Sequence, residues 1–459
     1  MNACLLIDFG STYTKLTAVD LDLGILLGTS SHFTTVSSDI RLGYHRALSL
    51  LKEKIGVIPF SKIIACSSAA GGLKMAAVGL VEELTVEAAK RACYGAGGKV
   101  DLVFSHFLTK TDIDLMKTKK IDIVLLAGGT DGGNSEVVIH NAKMLASANL
   151  KIPIIFAGNK AAQDDIRDIF TEKQVNGFIC ENIMPKLNVL NIDKAKEVVR
   201  KIFLENIIVA KGIKQIESEI DAVMLPTPYA VLKAAELLSK GYLHEEGLGD
   251  LVISDVGGAT TDLYSLGYGY PKRADVVLKG LSEPFAKRTV EGDLGMRYSA
   301  LGIDATLSEQ ERALYLEQGI DMRKEAQFRH DHVDMIALSP YDCEIDRLFG
   351  GICHDKAMSR HVGKMEQAYT PMGLLYYQTG KDLTQVKYII GTGGVVIHDE
   401  KPQEMLLKLC ADNQKPLELR PVKPQFLIDR QYVLSAMGLL SIDHPEIALK
   451  IMKGSLEKI

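Results

Sequence analysis

IDFGSTYTKL at residues 7–16 and SDVGGATTDL at residues 254–263 are two versions of one pattern: Asp, any residue, Gly, a small residue, then a Thr-rich return. Asp8 and Asp255 hold the same place in each, 247 positions apart. Each follows an apolar run of strand-forming residues closed by a Gly turn, ACLLIDFG in the first and LVISDVGG in the second. TYTKLTAVD then returns in the two-residue rhythm of a strand. Two Gly-containing β-hairpins are therefore expected, and two similar lobes facing each other would bring both to a central cleft.

The chemistry of such turns is specific. Gly10 lets backbone amides approach a ligand, and Ser11 and Thr12 add hydroxyl donors, so successive N–H groups can form an anion-binding nest. Lys15, seven positions beyond Asp8, can reach a phosphate as a point charge. Asp8 would repel bare phosphate and makes sense with Mg2+ between them, held through water. The same logic applies to Asp255, Gly257, Gly258, Thr260 and Thr261. Either copy alone reads equally well as a hairpin with a solvated Asp at its turn. A third element, IIGTGGVV at 389–396, puts Gly391, Gly393 and Gly394 after a buried strand, where backbone can lie flat against a ring or ribose. By itself it reads as an ordinary Gly turn.

Global properties set the frame. The 459 residues are 47% apolar and 24% charged, which fits a globular chain of about two or three domains. A net charge of −5 and a pI near 6.2 leave no electrostatic footprint for nucleic acid or an anionic membrane. No apolar run is long enough to span a bilayer, and Asp8 interrupts the start where a signal peptide needs an apolar stretch. The seven scattered cysteines form no CxxC pair, as expected of reduced thiols in a cytoplasmic protein.

A helix is expected at about 41–54, then the strand KIIACSS and a break at Gly71–Gly72. From about 76 to 219, helical patterns such as VEELTVEAAKRACYGAG alternate with buried runs: KVDLVFS, IDIVLLAGG, IPIIFAGN and VNGFICEN. That alternation predicts a parallel sheet covered on both faces. DAVMLPTPYAVLKAAELLSKG reads as a strand, a Pro-marked turn and a helix ending at Gly241. The stretch around RKEAQFRHDHVDM reads as a charged loop. YVLSAMGLLS reads as a helix in which Ala436 and Gly438 allow close packing.

The ordered trio IDFGSTYTK, SDVGGATTD and IIGTGGVV resembles the ATPase superfamily of sugar kinases, actin and heat-shock chaperones. PTPYAVLKAAELLSKG (226–241) resembles its first interlobe connection, YVLSAMGLL its second, and TVEGDLG (289–295) the turn that follows the second hairpin. Within that superfamily, ACSSAAGGLKMAAVGL, LLAGGTDGGNSEVVIHNA, PIIFAGN and TVEGDLGMR are similar to the glutamate mutase L family, accessory proteins of adenosylcobalamin-dependent mutases and aminomutases. The resemblance implies an α/β fold of two actin-like, ribonuclease H-like lobes. Lobe I would comprise about 1–75 with 220–250, lobe II about 251–430, with 76–219 inserted into lobe I and 431–459 returning to it. It also implies ATP and Mg2+ between the hairpins, with Asp8 and Asp255 as catalytic and metal-binding residues. The nucleotide would be held by Gly10, Ser11, Thr12, Lys15, Gly257, Gly258, Thr260, Thr261, Glu291, Gly391, Gly393 and Gly394. The implied role is chaperone-like: a slow ATPase that reactivates a mutase by helping to exchange damaged cobalamin. A small-molecule kinase and a nucleotide-gated binding protein are the alternatives. PTPYA lacks the acidic or amide side chain that relatives often use to orient water, which leaves Asp8, Asp255, Asp262, Glu291 or Asp293 for that task.

Other signals are weaker. LLAGGTDGG (125–133) is either a docking or ligand loop or a permissive strand-to-helix turn. His330 and His332 in FRHDHVD lack a completing carboxylate or Cys and read as part of a solvated loop. Cys353–His354 reads as structural or exposed, and the lysines of KTDIDLMKTKKID as a solvated helix face. The cobalt-ligating Asp-x-His-x-x-Gly motif of cobalamin-binding domains is absent: the only His with Gly three positions later is His244, which follows Tyr242 and Leu243. The chain is thus expected not to ligate cobalt through its own His.

Overall fold

In a computed structural model the chain is described over residues 2–34, 39–68, 73–210, 219–371 and 373–459. The predicted Gly71–Gly72 break lies outside them. Strands β1 (Ala3–Phe9), β2 (Tyr13–Asp20) and β3 (Ile25–Phe33) form an antiparallel run. A helix at Ile40–Ile55 leads to β4 (Lys62–Ser67), parallel to β1.

Five further strands form a separate sheet: β5 (Lys74–Gly79), β6 (Lys99–Ser105), β7 (Ile123–Leu126), β8 (Ile154–Phe156) and β9 (Gly177–Ile179), all parallel, in the order β6-β5-β7-β8-β9. Alternate side chains serve opposite cores. Met75, Ala77, Ile123 and Leu125 pack with the helices Glu87–Gly95 and Asp193–Ala210. Ala76, Val78, Val124 and Leu126 pack with the helices Lys110–Lys119, Glu136–Ser147 and Gln163–Glu172. Burial of both faces explains the continuous apolar runs of the sequence.

Strand β10 (Ala222–Pro226) rejoins the first sheet to give β10-β4-β1-β2-β3, and the helix Thr227–Lys240 ends at Gly241. After a short ribbon of β11 (Gly241–Tyr242) and β12 (Glu245–Glu246) come β13 (Leu251–Val256), β14 (Thr261–Leu266), β15 (Val276–Lys279) and β16 (Ala286–Glu291). Then follow β17 (Lys364–Thr370), β18 (Gly373–Thr379), β19 (Tyr388–Thr392), β20 (Gln425–Ile428) and β21 (Glu457–Lys458). The last large sheet runs β16-β14-β13-β19-β20-β21, while β15, β18 and β17 form a small one.

The two main sheets repeat one plan. In each, a central strand (β1 or β13) pairs antiparallel with the next (β2 or β14), which pairs antiparallel with a third (β3 or β16). On its other side lie two parallel strands, β4 and β10 or β19 and β20. This is the ribonuclease H-like order, present twice, so the chain has the two-lobed actin-like fold.

Strand periodicity aims the two lobes at each other. Cys4 and Leu6 of β1 and Leu251 and Ile253 of β13 share one core with the helices Thr227–Lys240, Leu434–Leu440 and Pro445–Ser455, sandwiched between the sheets. Leu5, Ile7 and Phe9 face the other way, as do Val252 and Val256. Asp8 is in step with Cys4 and Leu6, and Asp255 with Leu251 and Ile253, so both carboxylates belong to the layer between the lobes. Within it Gly438 lies against the helix Thr227–Lys240 so closely that a β-carbon would sit 1.8 Å from the Ala230 carbonyl oxygen.

One reading is corrected. RKEAQFRHDHVDM is not a loop: Met322–Asp331 is helical, capped by the Asp321 side chain. One of its charges is paired rather than solvated: the fully buried Arg329 is held by Glu325 and by Asp346 of the helix Pro340–His361. Among the described residues no helix is long and apolar enough to cross a membrane.

Candidate functional site

The two duplicated turns are built alike. Gly10 N–H donates to the Tyr13 carbonyl at 3.1 Å, and Gly257 N–H to the Thr260 carbonyl at 2.9 Å. Across the strands Asp8 is opposite Lys15, and Asp255 is opposite Asp262. The tips nearly meet: a β-carbon at Gly258 would lie 3.4 Å from Oγ1 of Thr12. Behind them is a cavity of about 790 Å³, a volume typical of small-molecule sites.

Of the residues singled out in the sequence, Asp8, Gly10, Ser11, Thr12, Lys15, Asp255, Gly257, Gly258, Thr260 and Gly394 line this cavity, with Asp262 beside them. Four others do not. Thr261 is buried in β14 and donates its hydroxyl to the Leu294 carbonyl. Gly391 lies within β19, walled in by Val396, Leu406 and Ile428. Gly393, at φ +95°, approaches β13 so closely that a β-carbon would stand 2.3 Å from the Val256 oxygen. It fastens the third turn to the second hairpin and leaves Gly394 facing open space. Glu291 is held by Arg360, which also binds Asp293, on the wall of a separate cavity.

The two aspartates sit in different environments. Asp8 accepts hydrogen bonds from the hydroxyls of Thr227 at 2.6 Å and Ser435 at 3.1 Å, and the Lys15 ammonium lies 3.8 Å away. That ammonium also sits 3.3 Å above the centre of the Tyr432 ring. Asp255 receives no side-chain hydrogen bond from the described residues. Burial, reinforced by the nearby Asp262 and Asp8 carboxylates and opposed by Lys15 and Arg288, pushes its pKa up to about 6. Asp262 accepts from the Thr260 hydroxyl at 3.1 Å and pairs with Arg288 at 2.6 Å. Arg288 in turn donates to the Tyr94 and Gly98 carbonyls, tying the second hairpin to the all-parallel unit.

Sequence reasoning missed Thr227, Ser435, Tyr432 and Arg288. Thr227 and Ser435 stand inside the two segments read as connections, where a lone hydroxyl carries no signal that it will reach a carboxylate in another element.

The family model described as MutL protein matches residues 4–456. A Protein MutL from Clostridium tetanomorphum is 48% identical over 462 aligned residues, covering all of both chains. The chain belongs to this family. The glutamate mutase L assignment made from its motifs is therefore right. Solved structures similar to this MutL-family chain include a glycerol dehydratase reactivase (9% identical, 96% of this chain and 99% of that one, TM-score 0.38). Another is a nucleotide-free diol dehydratase-reactivating factor (10% identical, 97% and 100% covered, TM-score 0.36).

The remaining motifs of the MutL-family chain lie elsewhere. The GGTDGG turn is closed on itself by Asn159, whose side-chain oxygen accepts from Gly132 N–H and whose amide donates to Gly133 and Asn134. His330 and His332 contact separate carbonyls, of Tyr298 and Phe328. Cys353 and His354 are buried in the helix Pro340–His361. His244 is in the turn between β11 and β12.

Proposed function

We propose that this MutL-family chain binds ATP with Mg2+ between its hairpins and hydrolyses it slowly. We further propose that it serves as an accessory protein that reactivates an adenosylcobalamin-dependent mutase or aminomutase by promoting release of damaged cobalamin. The observation that supports this most directly is the placement of Asp8 and Asp255, from duplicated hairpins in opposite lobes, on one cavity.

The donor set suits the ligand. Carboxylate oxygens of Asp8 and Asp255 are hard ligands of the kind Mg2+ takes, usually through water. Thr227 and Ser435 fix the Asp8 carboxylate, and Lys15 offers a point charge to a phosphate. Amides and hydroxyls of the two turns supply oxyanion donors. When bound, the metal supplies neutralisation of charge on the phosphate oxygens. Asp255, whose side chain takes no hydrogen bond among the described residues and which lines the cavity, is the group suited to accept the proton of attacking water. Asp262 is committed to Arg288, and the first connection offers Thr227 rather than a base, so turnover is slow. Loss of the γ-phosphate removes contacts that bridge two turns in different lobes, which biases the angle between the lobes and any surface that spans them.

The test is to incubate the protein with ATP, Mg2+ and a mutase inactivated by cyanocobalamin. Recovered mutase activity that requires ATP is expected. No recovery, with ATP consumed into a phosphorylated small molecule, overturns the reading in favour of a kinase.

A further inference from the structure

A second cavity, of about 690 Å³, opens where the helices Glu87–Gly95 and Asp193–Ala210 of the all-parallel unit meet the helix Thr227–Lys240 and strand β16. It lies across Arg288 from the hairpin cavity, for that side chain borders both. Its walls carry charges of both signs. The other cations lining it are matched by carboxylates, as Arg91 and Lys287 are by Glu283.

Arg200 is the exception. Its guanidinium stacks over the Tyr229 ring, 3.6 Å from the centroid. Its Nε is closed off from solvent without a hydrogen-bond partner, and among the described residues no carboxylate pairs with it. A desolvated donor left unmet is costly. Stacking on an aromatic face consumes none of the in-plane N–H groups; Nε is sealed off, and the two terminal Nη groups, which no described residue bonds, remain as a fork to meet a planar or tetrahedral oxyanion. The cavity is far larger than a lone ion requires and falls in the range that takes a small organic molecule.

We propose that this cavity is a second ligand site, for a small molecule bearing a carboxylate or phosphate group that docks on Arg200. Mixed charge on the remaining walls suits a ligand that also carries polar or cationic groups, and disfavours a polyanion such as a nucleotide. The site is therefore distinct in chemistry from the hairpin cavity.

Isothermal titration of nucleotide-free protein tests it, with inorganic phosphate in one arm and glutarate, a dicarboxylate, in the other. One probe is expected to bind saturably at one site, and Arg200→Met to weaken it about tenfold or more. Arg200→Lys, which keeps the charge but loses the fork, recovers only part of the affinity. Tyr229→Leu removes the ring that orients the guanidinium and serves in place of Arg200→Met if that variant does not fold. Phosphate binding is repeated in Lys15→Met, where heat from the hairpin cavity is diminished and heat from this site persists. Binding in the phosphate arm assigns a phosphate ligand, and binding in the glutarate arm a carboxylate. If neither probe binds, or if folded Arg200→Met and Tyr229→Leu bind as the wild type does, the proposal is overturned.

Discussion

Lys15 and Asp262 occupy equivalent places in the two hairpins, the first opposite Asp8 and the second opposite Asp255. One hairpin thus sets opposite charges across its strands, while the other sets two like charges whose repulsion is offset by Arg288 from β16. The duplicated scaffold thus carries a charge-balanced pair on one hairpin and a like-charged pair on the other.

For the proposed ATP site, this asymmetry predicts that affinity rests on the first hairpin. Lys15→Met is expected to weaken ATP binding by roughly 1.5–3 kcal/mol, about tenfold to a hundredfold, through loss of a charge-assisted contact. The fold should persist because Asp8 keeps Thr227 and Ser435. Titration with a fluorescent ATP analogue measures it, and an unchanged Kd takes Lys15 off the phosphates.

Asp255→Asn separates binding from chemistry. The amide keeps the shape of the side chain but cannot accept a proton, so single-turnover hydrolysis should slow by about a hundredfold or more while ATP affinity changes far less. Hydrolysis at the wild-type rate removes Asp255 from the role of base.

Gly438→Ala tests the junction between the lobes. Its β-carbon would stand 1.8 Å from the Ala230 carbonyl, so the two helices must separate, at a cost of about 1–3 kcal/mol. Gly454→Ala, in the exposed final turn of the helix Pro445–Ser455 with nothing within 4 Å, is the control and should stabilise slightly. Urea unfolding of both variants checks the contrast.

Acid should destabilise the protein in part through His354. Its Nδ1 lies 3.1 Å from the Met405 carbonyl and so carries the hydrogen, Nε2 has no partner among the described residues, and burial pulls the ring's pKa down from 6.5 to about 4. Between these values the unfolded chain takes up a proton that the folded chain refuses. Stability should therefore fall as pH drops through that window, by roughly 1.4 kcal/mol per unit and about 3 kcal/mol in all. Urea titrations at either end of the window measure the loss, which His354→Gln should reduce.

The hairpins were legible because their information is local: apolar runs, Gly turns and a two-residue rhythm fix where Asp8 and Asp255 point. The partners of Asp8 were not, because Thr227 and Ser435 lie 219 and 427 positions away and only the fold brings them in. The helix Met322–Asp331 was hidden for the same reason. Its charges look solvated until Asp346, 17 positions on, is seen to bury Arg329. Thr261 fell on the wrong side because one step along a strand reverses the face, and Thr260 already has the side that lines the cavity.

The proximity of Thr12 to Gly258 bears on how the repeats diverged. Counting from the shared aspartate, Gly258 and Ala259 stand where the first hairpin has Ser11 and Thr12. A serine at 258 would place a β-carbon 3.4 Å from the threonine hydroxyl and then add an oxygen beyond it. The two tips therefore stand within ordinary contact of one another, and a serine in the second would lay its hydroxyl beside that of the first, so that a change in either loop is felt across the seam.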